Sequence, residues 1–177
     1  SMTPMETLFI SGAFHKMAFW GGEDMVRAKD YTWQKSRYTL LKGRWGIAIW
    51  IEAGYLMTSE IEDKNNYTEI SDHIYFESMI PSSSDNIQLY ADELLHFCSG
   101  LKMISRHFHE FLPEGMYLII ALRNIEFSEC YVQIEGFTAC AIQWASEAFH
   151  FSMPKIEAYF DESKAPNGQY IFDFSSV

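Results

Sequence analysis

Positive charge is scarce: 13 Lys and Arg face 24 Asp and Glu in 177 residues, a net charge of −11. That disfavours nucleic-acid binding, because phosphate contacts need a basic surface. Cysteine is scarce too. Cys98, Cys130 and Cys140 are odd in number and form no CxxC pair. This argues against a disulfide framework and reads as a reduced, cytoplasmic chain with cysteines acting as small core hydrophobes. Long apolar runs are missing. The longest, Met116–Leu122, has seven residues, where a spanning helix needs about twenty, so no membrane segment is expected. Ser1-Met2 reads as a cleavage remnant before a start methionine, with no signal peptide behind it.

Motifs of chemistry are also lacking. Gly21-Gly22 is the only glycine doublet, and neither a phosphate-binding GxxxxGK[ST] nor a GxSxG occurs. His96-Phe97-Cys98 and His107-Phe108-His109 look metal-like at first. On a helix, His107 and His109 point about 200° apart, and His96 lies about 16 Å from His107, so none of these pairs shares an ion. They read as helix-surface histidines. No metal and no cofactor are expected, and no calcium loop of the D-x-D-x-D-G type is present.

What the chain has is apolar and aromatic bulk: 48% hydrophobic and 16% aromatic residues, including five Trp, ten Tyr and fourteen Phe. One domain spanning 1–177 is expected, with 1–43 as a loosely attached N-terminal segment. Ala13–Lys29 suggests a short helix broken at Gly21-Gly22, and Tyr31, Trp33 and Tyr38 suggest extended chain. Trp45, Ile47, Ile49 and Ile51 alternate with the residues between them, so Arg44–Met57 reads as a strand. Tyr67–Ile80 reads as its antiparallel partner across a charged turn at 60–66. Ile87, Leu94, Phe97, Leu101, Ile104 and Phe108 follow helical spacing, predicting one helix over Asp85–Leu112, capped within Ser83–Asp85 and stopped by Pro113. Met116–Asn124 predicts a central strand, continued by a second over Ile125–Ile134. A buried helix then begins at Gly136. Pro154 closes it, and a hairpin of Lys155–Phe160 with Gln169–Phe174 ends the chain. The fold class is α+β: a mostly antiparallel sheet with two main helices packed on one face.

The first 43 residues carry six Lys or Arg against four Asp or Glu, leaving −13 on the rest. Glu60-Ile61-Glu62-Asp63 is the densest acidic cluster, followed by Glu69, Asp72 and Glu77. Alone, such a run reads as a solvated turn. Trp50 falls on the strand face opposite Trp45, with Glu52 beside it in register; aromatics flanked by carboxylates suit a protein-binding surface and could also line a small-molecule pocket.

Over Gly136–Phe174 the chain has an Ala- and aromatic-rich helix (Gly136-Phe137-Thr138-Ala139-Cys140-Ala141-Ile142-Gln143-Trp144-Ala145-Ser146-Glu147-Ala148-Phe149), then Pro154, then a terminal hairpin. With its small size and acidity, it resembles the immunity proteins of bacterial polymorphic toxins. The resemblance covers about a fifth of the chain and carries over no binding residue. It implies stoichiometric inhibition of a cognate toxin domain, with no enzymatic activity. The expected contact residues are Trp50, Glu60, Glu62, Asp63 and Glu69, facing a cationic partner. The competing readings are a small enzyme or ligand-binding domain with an aromatic-lined pocket, and a structural subunit with an exposed apolar patch.

Overall fold

The computed structural model describes residues 27–81, 91–128 and 130–177, together with the backbone of 6–9 and 17–20. Strands β1 (Glu6–Phe9) and β2 (Met17–Trp20) form their own antiparallel pair. Met17–Trp20 is therefore extended, not part of a helix over Ala13–Lys29. Gly21-Gly22 and the capping segment Ser83–Asp85 lie outside the described residues.

The main sheet has five strands. In chain order they are β3 (Thr32–Leu41), β4 (Gly46–Thr58), β5 (Thr68–Ser71), β6 (Ile74–Ser78) and β7 (Tyr117–Phe127). Their spatial order is β3-β4-β7-β6-β5, antiparallel except for the parallel pair β6–β7. The fold is α+β. Its helices are α1 (Ala91–Met103), α2 (Ser105–Phe111) and α3 (Glu135–Phe149). None of the described helices is long and apolar enough to cross a membrane. A separate hairpin, β8 (Glu157–Asp161) with β9 (Gln169–Asp173), closes the chain.

The alternation of β4 works as period two requires. Ile47, Ile49, Ile51 and Ala53 are buried toward the helices. Against them pack Phe97 and Leu101 of α1, Phe108 of α2, and Phe137 and Trp144 of α3. Trp144 is fully buried, and its indole N–H donates to the Ala53 carbonyl at 3.1 Å. Helices α1 and α3 cross closely at Gly100, where a β-carbon would stand 2.4 Å from the Thr138 carbonyl oxygen. The Thr138 hydroxyl donates back to the His96 carbonyl at 2.9 Å.

Four further readings of the sequence are corrected. Tyr67–Ile80 is two short strands separated by a turn, and neither pairs with β4. β7 takes that place, and β6 lies beyond it. The long helix is two helices. Ile104, at φ −111° and ψ 17°, breaks the backbone while keeping its buried side chain in the apolar stripe. Among the described residues of 125–134 there is no second strand. β7 runs on to Phe127 through a bulge opposite Glu52/Ala53, whose extra residue puts Arg123 and Asn124 on the same face. Cys98 and Cys140 are buried, but Cys130 is exposed and is no core hydrophobe.

The face of the sheet away from the helices is crossed by the segment entering β3. Tyr31 and Trp33 pack on Ile119 and Ala121. The missing side chain of Gly54 lets the Trp33 ring lie against the strand, where a β-carbon would stand 2.6 Å from it.

Candidate interaction surface

The strand register brings four strand ends together. β4 finishes at Thr58, opposite Tyr117 at the start of β7. β6 starts at Ile74 beside Leu118, and β5 ends at Ser71 opposite Ile74. The segments that meet at this end are acidic. Glu60, Glu62 and Asp63 follow β4, Glu69 lies on β5, Asp72 lies in the β5–β6 turn, and Glu114 precedes β7. Glu60, Glu62, Asp63, Glu69 and Glu114 form no ion pair with any described residue, whereas the described chain has seven such pairs, one of them Asp72 with His73 at this end. Asp63 instead accepts the Asn65 backbone N–H at 3.0 Å, capping a single 3-10 turn at Lys64–Asn66.

A strip of tyrosines runs between these carboxylates. Tyr67 and Tyr75 are 6.3 Å apart between centroids, and Tyr75 and Tyr117 are also 6.3 Å apart. His73 lies nearly flat against Tyr117, at 4.7 Å and 17°. It adopts a left-handed backbone (φ 65°) and meets Asp72 at 2.9 Å through Nδ1. The Lys64 ammonium approaches the same tyrosine ring at 5.4 Å. Burial, then the nearby Glu77 and Glu62 carboxylates, raise the Tyr67 phenol above its ordinary value, while Arg27 opposes them. On the helix side of this end, Met57 and Phe111 are each 38% exposed. Phe111 stands edge-on to Tyr55 at 5.6 Å.

Four of the five residues singled out in the sequence therefore share this end: Glu60, Glu62, Asp63 and Glu69. Trp50 does not. It lies eight residues back along β4, about 26 Å away by strand rise. Trp50 is 40% exposed beneath the Arg37 guanidinium, which stands 4.8 Å from its ring. Its neighbours carry mixed charge. Glu126 lies opposite, with one buried carboxylate oxygen unpartnered among the described residues. Glu52 pairs with Arg123 and, at 3.8 Å, with Lys35. Glu77 is also committed: Arg27 meets it at 2.5 Å and the Tyr31 hydroxyl donates to it at 2.8 Å.

The aromatic partners of the acidic end were missed in the sequence. Tyr67 meets Tyr75 through the β5–β6 pairing, and the β6–β7 pairing brings Tyr117 to them. The tryptophans with described side chains other than Trp50 serve internal packing. Trp33 is stacked between Tyr31 (5.4 Å) and Arg123 (4.0 Å). Trp45 packs on Phe160 and Tyr170, at 5.9 and 5.2 Å, and Trp144 fills the core.

The helix histidines have partners of their own. His107 stacks on Phe151 at 3.8 Å, and His109 Nε2 lies 2.8 Å from the Ser71 hydroxyl. Among the described residues, no three His, Cys, Asp or Glu are placed to hold a metal ion. Burial pushes the Cys98 thiol up to about 12 and the Cys140 thiol further still, so neither is a nucleophile at neutral pH.

A scan of protein-family models finds no match, and searches of curated proteins and of solved structures find none.

Proposed function

We propose that this chain is a non-enzymatic cytoplasmic binding protein, an immunity protein that neutralises a cognate bacterial toxin by docking on a cationic surface of it. The observation that carries this reading is the acidic end of the sheet, where carboxylates without ion pairs share the strand ends with a tyrosine strip on one face and with the part-exposed Met57 and Phe111 on the helix face. Unpaired surface charge of one sign speeds encounter with an oppositely charged partner. Aromatic and apolar groups inside a charged rim hold the complex once formed. Both kinds of group occur here at one end of the sheet. Trp50, far from this end and in mixed charge, is not part of it.

The test is capture from lysate of the source organism at about 50 mM and about 500 mM salt. The native chain is compared with Glu60→Gln/Glu62→Gln/Asp63→Asn/Glu69→Gln. A stoichiometric basic partner should bind the native chain faster at low salt, stay bound at high salt, and be lost by the variant. Co-expression of the native chain, and not the variant, should relieve that partner's toxicity in a test host. Equal capture by both chains, or capture of no partner at either salt, refutes the reading. A thermal shift produced by small metabolites would instead favour a ligand-binding domain.

A further inference from the structure

We propose that Tyr117 is the seat for a lysine or arginine side chain of the partner, and that the chain's own Lys64 competes for that seat. The inference rests on the reading that the acidic end binds a cationic partner, and it names the group that is bound. Three observations carry it. The Tyr117 ring already holds a cation, the Lys64 ammonium, at 5.4 Å. A cation within about 6 Å of an aromatic centroid is held by the ring's electron-rich face. His73 lies flat against the ring at 4.7 Å and Tyr75 packs beside the ring at 6.3 Å, and together they fix its orientation. Finally, Lys64 is the one Lys or Arg in the acidic segments, beside Glu60, Glu62 and Asp63 and across the sheet end from Asp72 and Glu114.

Lys64 thus marks where positive charge is stabilised at this end. It sits on an exposed turn, so it can leave the ring as a partner side chain arrives. It makes no ion pair with a described carboxylate, so its contact with the ring is not the by-product of a salt bridge. Removing Lys64 would vacate the ring and deepen the negative field there.

The experiment is a double-mutant cycle on the full chain, using a fluorescent octa-arginine peptide as the probe at about 50 mM salt. Lys64→Gln should tighten binding about fivefold. Lys164→Gln, with the same change in net charge on the terminal hairpin's loop, should change it less than twofold. Tyr117→Leu should weaken binding about fivefold, while Tyr117→Phe, which keeps the ring, should stay within twofold. In the Tyr117→Leu background the gain from Lys64→Gln should shrink to that of charge alone. If Tyr117→Leu binds as the native chain does, or if the Lys64→Gln gain persists undiminished without the ring, the seat is refuted while the acidic-end reading stands. If the peptide does not bind, or if neutralising Glu60, Glu62, Asp63 and Glu69 leaves its binding unchanged, the acidic-end reading itself falls. The thermal midpoint of each variant separates lost binding from lost fold, and Tyr117→Phe tests the ring if Tyr117→Leu unfolds.

Discussion

Gly100 offers a direct test of how the two long helices meet, because two opposed effects act there. It sits inside α1, where replacing glycine by alanine ordinarily stabilises a helix by about 1 kcal/mol. A β-carbon at this position, however, would stand 2.4 Å from the Thr138 carbonyl oxygen and 2.9 Å from the Ala141 methyl carbon of α3. Neither obstacle is the loose end of a flexible side chain, so α1 must move bodily away from α3. That movement would stretch the Thr138 to His96 hydrogen bond and loosen the packing of Phe97 and Leu101. Overpacking of this kind costs about 3 kcal/mol. The expected net loss is therefore about 2 kcal/mol, or about 4–8 °C in thermal midpoint for a chain of this size. Urea denaturation with a concurrent thermal melt measures both. A Gly100→Ala variant as stable as the native chain, or more so, would refute the close helix crossing.

Three further outcomes are expected. Burial, then Cys140 and Tyr170, push the Tyr38 phenol up to about 12 from its ordinary 10. Folding therefore favours the protonated phenol, and its contribution is complete below pH 10 and lost as pH rises toward 12. Urea midpoints should fall across that window, less steeply in Tyr38→Phe. Cys130 is exposed while Cys98 and Cys140 are buried with raised thiols, so a thiol reagent at pH 8 should label one cysteine rapidly in the native chain and three in denaturant. His150 ends α3 in the left-handed conformation at φ 58°, donating its backbone N–H to the Ser146 carbonyl. His150→Gly should raise stability by about 0.5–1 kcal/mol, read by the urea midpoint.

The parts of the fold that can be read from the chain are those whose burial is decided locally. Ile47, Ile49 and Ile51 alternate because one face of β4 meets helices, and α3 is apolar nearly all round because it is buried nearly all round. The break between α1 and α2 leaves no such mark. Ile104 stays in phase with Leu101 and Phe108, so the apolar stripe continues through a backbone that does not. The identity of strand neighbours is also hidden. A turn at 60–66 suggests that the flanking segments pair, yet a long helical crossover lies between β6 and β7, and a parallel pair needs such a connection. The acidic turn could be read from composition. The tyrosine strip beside it could not, since Tyr117 joins Tyr67 and Tyr75 only through that parallel pairing. Trp50 misleads because exposure of an aromatic ring is legible in alternation, but its distance from a turn depends on how far the strand runs.

The position of β7 also bears on how the chain acquires its shape during synthesis. β4 pairs with β7 through residues about sixty positions later, Met57 with Leu118 for instance. Until β7 leaves the ribosome, β4 has one bare edge, and the β5–β6 hairpin has no main-sheet strand to dock on. The nascent chain must therefore carry two disconnected sheet fragments and both α1 and α2 before any of them can join. Contacts so distant in sequence slow closure and prolong the exposure of unpaired strands. Arrest of translation just before residue 117 should leave a chain that holdase chaperones retain, and extension past Phe127 should release it.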